Sequence, residues 1–542
     1  MRARFITSLA VTLLLLWGSA AAHKCGTAFA MQNKRQKPSG SAARIYAKDA
    51  NTCEADAYYD SVYTRETDHF QIFYTLGKGP HSTTPEFVDS IATSFENAYV
   101  FHTKTLGMLV PQGIDTTSHY QKPVKKGLYP IEIAEIDFLR DPYSVLHSKT
   151  CNGCFGVTYT GSRDSQKSAI IIDNDFMHVP QANITKASIE HDGKQCSYPV
   201  STGTIYNKTH NYAYNDEWAK AIRVTAFHEL YHAVQLRYID YNSFSSFWLE
   251  ASASGIEEIA APDIDDYIRY LGDFFFGTRG TPLDQTSAEY GAGVLFIYLY
   301  NHFDKRFDKN IWEGFSKNPS KDFRTQLQQV ILARKQSPDS VFHGFATKIA
   351  FSGSRTSATD SSSWINKDQS LWPEAPYAQA KDESPDIPQF SYKFYSGIDI
   401  DLNNFYGNAS VSLYKNGKAT VFPINNTLSL DSVKIKAFQY DSLTWILSRF
   451  GESEHIPEVV KDSTLRAFPT PWRHGNLCFT PLPLSKEYIE IRNARGDLVM
   501  RIPYTHTTHC IDGDEVKSKM KPGVYRFRAG ASGKTEKFLI VY

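Results

Sequence analysis

Residues 224–239 read Val-Thr-Ala-Phe-His-Glu-Leu-Tyr-His-Ala-Val-Gln-Leu-Arg-Tyr-Ile, with neither proline nor glycine to interrupt them. Phe227, Leu230, Tyr231 and Val234 recur at helical spacing, so the run predicts a buried or half-buried helix. On such a helix His228 and His232 stand one turn apart on one face, and both imidazoles can reach the same point. Glu229 is turned by about 100° from His228, close enough to touch a bound water without ligating an ion. Two neutral nitrogen donors, a carboxylate beside them and an open coordination position are what zinc-assisted hydrolysis requires.

A catalytic zinc usually takes three protein ligands. Residues 247–258, Phe-Trp-Leu-Glu-Ala-Ser-Ala-Ser-Gly-Ile-Glu-Glu, predict a second helix whose small residues allow close packing against the first. Glu250 falls in it, eighteen residues after His232. The pairing resembles the gluzincin metallopeptidases, the broad group that includes thermolysin and the zinc aminopeptidases. Their second helix carries a Trp-Leu-Asn-Glu-Gly type of run, and here it reads Trp248-Leu249-Glu250-Ala251. The resemblance implies Zn²⁺ held by His228, His232 and Glu250, with Glu229 as general base. Thermolysin-like enzymes place an Asp four residues after the ligand Glu; here Ser254 stands there, which leaves Glu257 or Asp216 to orient a ligating imidazole.

The ends of the chain add a location. Arg2 and Arg4 precede an apolar run ending at Trp17, and Ala20-Ala21-Ala22 follows, the pattern of a secretory signal peptide cleaved after Ala22. A membrane span needs about 20 apolar residues and this run has about 13. Lys plus Arg equals Asp plus Glu at 58 each, and no basic run is interleaved with aromatics, so nucleic acid is not an expected partner. Seven cysteines suit an oxidising compartment. Cys25 with Cys53 and Cys478 with Cys510 are candidate local bridges, and Cys151, Cys154 and Cys196 leave one thiol over.

Taken in order, residues 23–60 are polar and aperiodic, a leader or pro-like segment. His69-Phe70-Gln71-Ile72-Phe73-Tyr74 predicts a strand, and a helix follows over about 85–105 with Phe87, Ile91, Phe95 and Ala98 on one stripe. Strands are expected at 129–136 and 169–172, the second ending in Asp173-Asn174-Asp175. One of these would be the sheet edge along which an extended peptide could lie. Over residues 60–305 the order of features resembles a group of secreted bacterial metalloproteases, with His-Phe-x-Ile-x-Tyr, Leu106-Gly107 and His-Glu-x-x-His-Ala-x-Gln in sequence. Tyr290, opening an apolar helix, is the candidate to donate a hydrogen bond to a developing oxyanion.

Residues 354–390, rich in Ser, Asp, Pro and Lys, read as a linker. From 391 short alternating runs separated by turns such as Asn416-Gly417 predict a β-sandwich to 466. Residues 467–542 resemble the C-terminal immunoglobulin-like modules of secreted bacterial proteins, including type IX secretion sorting domains. Their Pro-Asn-Pro opening is here Pro469-Thr470-Pro471. That resemblance implies contact with export machinery.

The expected architecture is therefore an α+β zincin-like metallopeptidase domain over 61–353 followed by all-β sandwich modules. The expected activity is that of a secreted zinc peptidase acting on protein or peptide substrates. The competing expectation is a metallopeptidase-like scaffold that binds a surface ligand and turns over little; retention of Glu229 favours the enzyme.

Overall fold

The computed structural model describes residues 61–542 except 78–80, 117–119, 121, 139–152, 161–165, 180–182, 192–193, 203–205, 240–245, 380–386, 398–399, 401, 403–404, 425–439, 452–464, 481, 483–485, 505–508 and 532–533. The expected signal peptide, the segment 23–60 and the pair Cys25–Cys53 lie outside these residues. The chain is a mixed α+β protein with a helical middle and several β-sheets toward its C-terminus, and it divides into two compact units, Met1–Gly451 and Glu452–Tyr542.

The first unit begins with a mixed sheet built from β1 (Val62–Glu66), β2 (Phe70–Thr75), β3 (Gln112–Gly113), β4 (Tyr129–Ile133), β5 (Gly156–Thr160) and β6 (Lys167–Ile172). β2, β4 and β6 run parallel, while β1 closes one side and β5 the other, both antiparallel. Alternation along the strands sorts the side chains by face. Phe70, Ile72, Ile131, Ile133, Ile170 and Ile172 enter the main core, whereas Ala169 and Ile171 join Tyr159 in a smaller cluster. Asp173, at the end of β6, accepts the Ile136 N–H at 3.1 Å. It also holds the buried Lys208 ammonium at 3.0 Å, and Asp137 lies 3.8 Å from the same ammonium.

Helix α1 (Pro85–Val100) covers that sheet with the stripe Phe87, Ile91, Phe95 and Ala98, as its spacing predicts. Its start is set by Pro85 at the first turn and by the Thr84 hydroxyl, which accepts the Phe87 N–H at 3.3 Å. Two further pairings follow, the short β7 (Met177–His178) with β10 (Tyr206–Asn207) and the longer antiparallel β8 (Ile184–His191) with β9 (Lys194–Ser201).

The next helix, α2 (Trp218–Gln235), is buried at every position from Val224 to Gln235. Such a helix is apolar around most of its girth because other elements cover all its faces. α1 and β5 lie against it, and so does α3 (Ser246–Ala260). α4 (Leu271–Gly277), α5 (Gly293–His302), α6 (Phe307–Lys317), α7 (Phe323–Ala333) and α8 (Pro338–Ile349) complete the helical region. α3 and α5 approach through glycines. A methyl added at Gly255 would lie 2.5 Å from Phe296 Cβ, and one at Gly293 would lie 2.9 Å from the Gly255 nitrogen.

Beyond α8 the chain makes short turns at Gly353–Ala358, Ser361–Ser363 and Lys367–Leu371. Ile365, Trp372 and Ala375 belong to the same apolar core as the helices. A second sheet follows, in the order β11 (Ala378–Gln379), β12 (Ser391–Ser396), β15 (Ser442–Arg449), β13 (Asn408–Lys415) and β14 (Lys418–Ile424). α8 packs on it, with the His343 imidazole bonded to the Ser448 and Ser410 hydroxyls at 2.7 Å each.

In the second unit β16 (Arg466–Phe468), β17 (Leu477–Thr480) and β20 (His509–Ile511) form one antiparallel sheet. β18 (Tyr488–Arg492), β19 (Leu498–Pro503), β21 (Gly523–Ala529) and β22 (Glu536–Ile540) form another, and a short helix α9 (Gly513–Lys519) precedes β21. Phe479 of the first sheet meets Phe527 and Phe538 of the second, with ring centres 5.0 and 5.8 Å apart. Cys478 and Cys510 are opposite one another in the register of β17 and β20 and form a disulfide. Cys154 of the first unit is also disulfide-bonded. Among the described residues no helix is long and apolar enough to cross a membrane.

Candidate metal centre

α2 and α3 are consecutive and packed together, so side chains one turn apart on α2 face a side chain projecting from α3. His228, His232 and Glu250 meet there, all three buried. His228 Nε2 and His232 Nε2 are 3.0 Å apart. Glu250 Oε2 lies 3.4 Å from the first and 3.6 Å from the second. A tetrahedral zinc with bonds of about 2.0–2.1 Å requires donors about 3.3 Å apart, so this triangle has the right size for one ion.

The far side of each imidazole decides which nitrogen faces inward. His228 Nδ1 donates to Glu257 Oε1 at 2.6 Å, and His232 Nδ1 donates to Gln235 Oε1 at 2.7 Å. The Gln235 amide is fixed in turn, its Nε2 donating to Leu249 O at 3.1 Å and to Ser252 Oγ at 2.9 Å. With both Nδ1 atoms committed as donors, the Nε2 lone pairs of two neutral rings point at each other across 3.0 Å. Something positive must sit between them.

In the metal-free chain His228 carries that charge. Burial pulls the His228 imidazolium down, but the Glu250 and Glu257 carboxylates outweigh it and push it up to about 10. Burial acts the other way on Glu250, and the two imidazoles overcome it to hold the carboxyl at about 2. A divalent cation would take the place of the His228 proton, so the donor set fits the zinc that the resemblance implies.

Glu229 follows His228 on the helix and points elsewhere, toward β5. The Thr158 hydroxyl lies 2.7 Å from Glu229 Oε2 and 2.8 Å from the Glu229 backbone oxygen. Gly156 begins the same strand, where a Cβ would stand 2.7 Å from Glu229 Cγ and 2.9 Å from Thr225 Cγ2. The strand can lie this close to the helix only because that position carries no side chain. Tyr290 is partly exposed and its ring stacks on His228 with centres 6.2 Å apart, backed by Tyr270 at 5.0 Å.

Behind the centre, the buried Asp308 of α6 holds both site helices. It accepts from the Tyr231 hydroxyl of α2, from Trp248 Nε1 of α3 at 2.7 Å and from Trp312 Nε1 of its own helix at 2.9 Å. Burial raises this carboxyl, the three donors oppose it, and it is left at about 7.

Of the residues named from sequence, His228, His232 and Glu250 meet at one point and Tyr290 stacks on His228, while Glu229 is turned toward Thr158. Of the two carboxylates considered as partners, Glu257 takes His228, whereas Asp216 lies at the surface beside His210, at 3.0 Å. Thr158, Gly156, Gln235 and Asp308 are the additions. The run Gly156-Val157-Thr158-Tyr159-Thr160, β-branched and aromatic, is the signal that could have marked β5.

No protein-family model matches the chain, and no curated protein matches it either. Among solved structures it is similar to PorZ, an essential bacterial surface component of the type-IX secretion system of human oral-microbiomic Porphyromonas gingivalis. The identity is 14%, the TM-score 0.14, and the match covers 18% of this chain and 14% of PorZ. That overlap is too slight to define a fold or a role.

Proposed function

We propose that the protein is a zinc-dependent metallopeptidase of gluzincin type, secreted and acting on peptide bonds. The observation that supports this most is the triangle of His228 Nε2, His232 Nε2 and Glu250 Oε2 at zinc spacing, with the buried Glu229 following His228 on the same helix. Bound zinc would supply a Lewis acid for a substrate carbonyl and an acidified water. Glu257 and Gln235 keep the imidazoles turned so that both Nε2 atoms face the ion. Glu229 takes a proton from the attacking water and delivers it to the leaving amine, and Thr158 holds the carboxylate in place for both transfers. The Tyr290 phenol donates a hydrogen bond to the carbonyl oxygen as negative charge builds on it.

β5 is one antiparallel edge of the sheet, and among the described residues no strand pairs with its other side. An extended peptide laid there would pass next to Glu229. In the second unit, two antiparallel sheets over one apolar cluster suit the immunoglobulin-like module expected from sequence, and recognition by export machinery is the role proposed for it.

The test is elemental analysis and casein hydrolysis on wild type, His232→Ala and Glu229→Gln. About one zinc per chain with chelator-sensitive proteolysis is expected in wild type, little zinc in the His variant, and zinc without proteolysis in the Glu variant. Absence of zinc from wild type in a zinc-supplied preparation would overturn the reading in favour of a binding scaffold.

A further inference from the structure

Three carboxylates converge at a second place in the first unit. Glu258 comes from the last turn of α3, Asp265 from the loop after it, and Asp368 from the short turn Lys367–Leu371 roughly a hundred residues on. One carboxylate oxygen of each lies within 4.8 Å of the others.

Neighbouring acids have cationic partners: Asp263 pairs with Arg223, and Asp266 with Arg269 at 3.4 Å. Among the described residues no lysine or arginine forms an ion pair with Glu258, Asp265 or Asp368. Lys367 is adjacent in sequence, yet its ammonium donates to Pro262 O at 2.7 Å. The donor inside the cluster is Asn366 Nδ2, shared between Glu258 Oε1 at 2.7 Å and Asp368 Oδ2 at 3.1 Å. Glu258 is only 2% exposed, and its Oε2 is buried without a nitrogen or hydroxyl donor among the described residues, the Asp368 carboxyl being its neighbour. Burial and the neighbouring Asp368 and Asp265 carboxylates push the Glu258 carboxyl up to about 9, so without a metal the cluster holds a proton where a cation would fit.

We propose that Glu258, Asp265 and Asp368 form a calcium-class site, separate from the histidine centre. All the donors are oxygens and none is nitrogen or sulfur, which selects a hard cation. Asp265 and Asp368 are partly exposed, leaving room for the waters that fill the remaining positions of a six- to eight-coordinate ion. An irregular set drawn from three segments suits calcium better than magnesium, which demands near-octahedral geometry at short distance. The consequence is mechanical. The cation ties the segment bearing Asp368 to the helix that carries Glu250 and Glu257, gripping that helix eight residues beyond Glu250.

The experiment uses the zinc-loaded full chain, with calcium added in steps while Tm is followed. In parallel, terbium luminescence is excited through Trp372, whose indole donates to Tyr267 beside Asn366. Saturable one-site behaviour is expected, with a rise in Tm of about 5 °C and terbium displaced by calcium. Glu258→Gln and Asp368→Asn should lose both responses while keeping their zinc. Without calcium their Tm should equal or exceed that of wild type, because each amide replaces an acid whose charged form burial and its neighbours already disfavour. A wild-type chain that shows neither response, variants that respond as wild type does, or magnesium acting as strongly as calcium would each overturn the proposal.

Discussion

Replacing Gly156 by alanine tests the link between β5 and the proposed base. Gly156 is not among the positive-φ glycines, so the backbone accepts an alanine and the effect must come through the added methyl. That methyl would lie 2.7 Å from Glu229 Cγ, 2.9 Å from Thr225 Cγ2 and 3.2 Å from Glu229 Cδ. Ordinary carbon contacts are about 3.5–4.0 Å, so something must move by about 1 Å. Thr225 and Glu229 are buried on a helix covered on every side, which leaves the strand or the carboxylate to yield. Overpacking of this kind costs about 1–3 kcal/mol of stability. A displacement of about 1 Å in a catalytic group lowers turnover by roughly 10²-fold. The ligand atoms do not touch Gly156, so zinc content should be unchanged. The assay is hydrolysis of a fluorogenic peptide with zinc and Tm measured on the same sample. A variant with full zinc and a kcat/KM within threefold of wild type would refute the idea that this strand positions Glu229.

Glu257→Gln should weaken zinc binding by roughly 10–100-fold, read from competition with a chromogenic chelator, because the amide is a poorer acceptor for His228 Nδ1–H. The metal-free chain should lose stability at high pH. His228 is raised from 6.5 to about 10, so its contribution is complete below 6.5 and disappears as pH climbs through 10. Glu250 is lowered from 4.5 to about 2, so its contribution is complete above 4.5 and disappears as pH falls through 2. Urea denaturation across pH 6–10 checks the first limb; zinc-loaded protein should lack that decline, and zinc uptake at pH 8 should release about one proton from His228. Lys208→Met should destabilise the first unit by about 3–5 kcal/mol, since it strands the buried Asp173 and Asp137 carboxylates. A thermal melt within 2 °C of wild type would contradict that.

What could be read in the sequence was whatever rests on helical period. His228, Glu229 and His232 take fixed offsets on one helix, and Glu250 and Glu257 take theirs on the next, so local spacing already carries the geometry. The α1 stripe is legible for the same reason. Thr158 and Gly156 arrive by a pairing between β5 and β6, and no offset along the chain announces which helix that pair will touch. Asp308 was hidden differently: an acid in an amphipathic helix suggests a solvent face, and only the convergence of Tyr231, Trp248 and Trp312 makes its burial tolerable. Trp372 sits in a stretch whose Ser, Asp and Pro content speaks of open chain, although its ring is in the core. Composition averages over such a segment and loses the one residue that anchors it.

The donors and their orienting partners, His228, His232, Gln235, Glu250 and Glu257, all fall within thirty residues on two adjoining helices. The strand that steadies Glu229 comes from some seventy residues upstream, and Tyr290 from beyond the second helix. On the proposed function, loading and turnover can therefore fail separately. Partial melting of the sheet would then leave a helical pair able to retain the proposed ion while the proposed base is displaced. On that reading stoichiometric metal is no certificate of a competent preparation, and storage or refolding is judged by the ratio of the proposed hydrolysis to bound zinc.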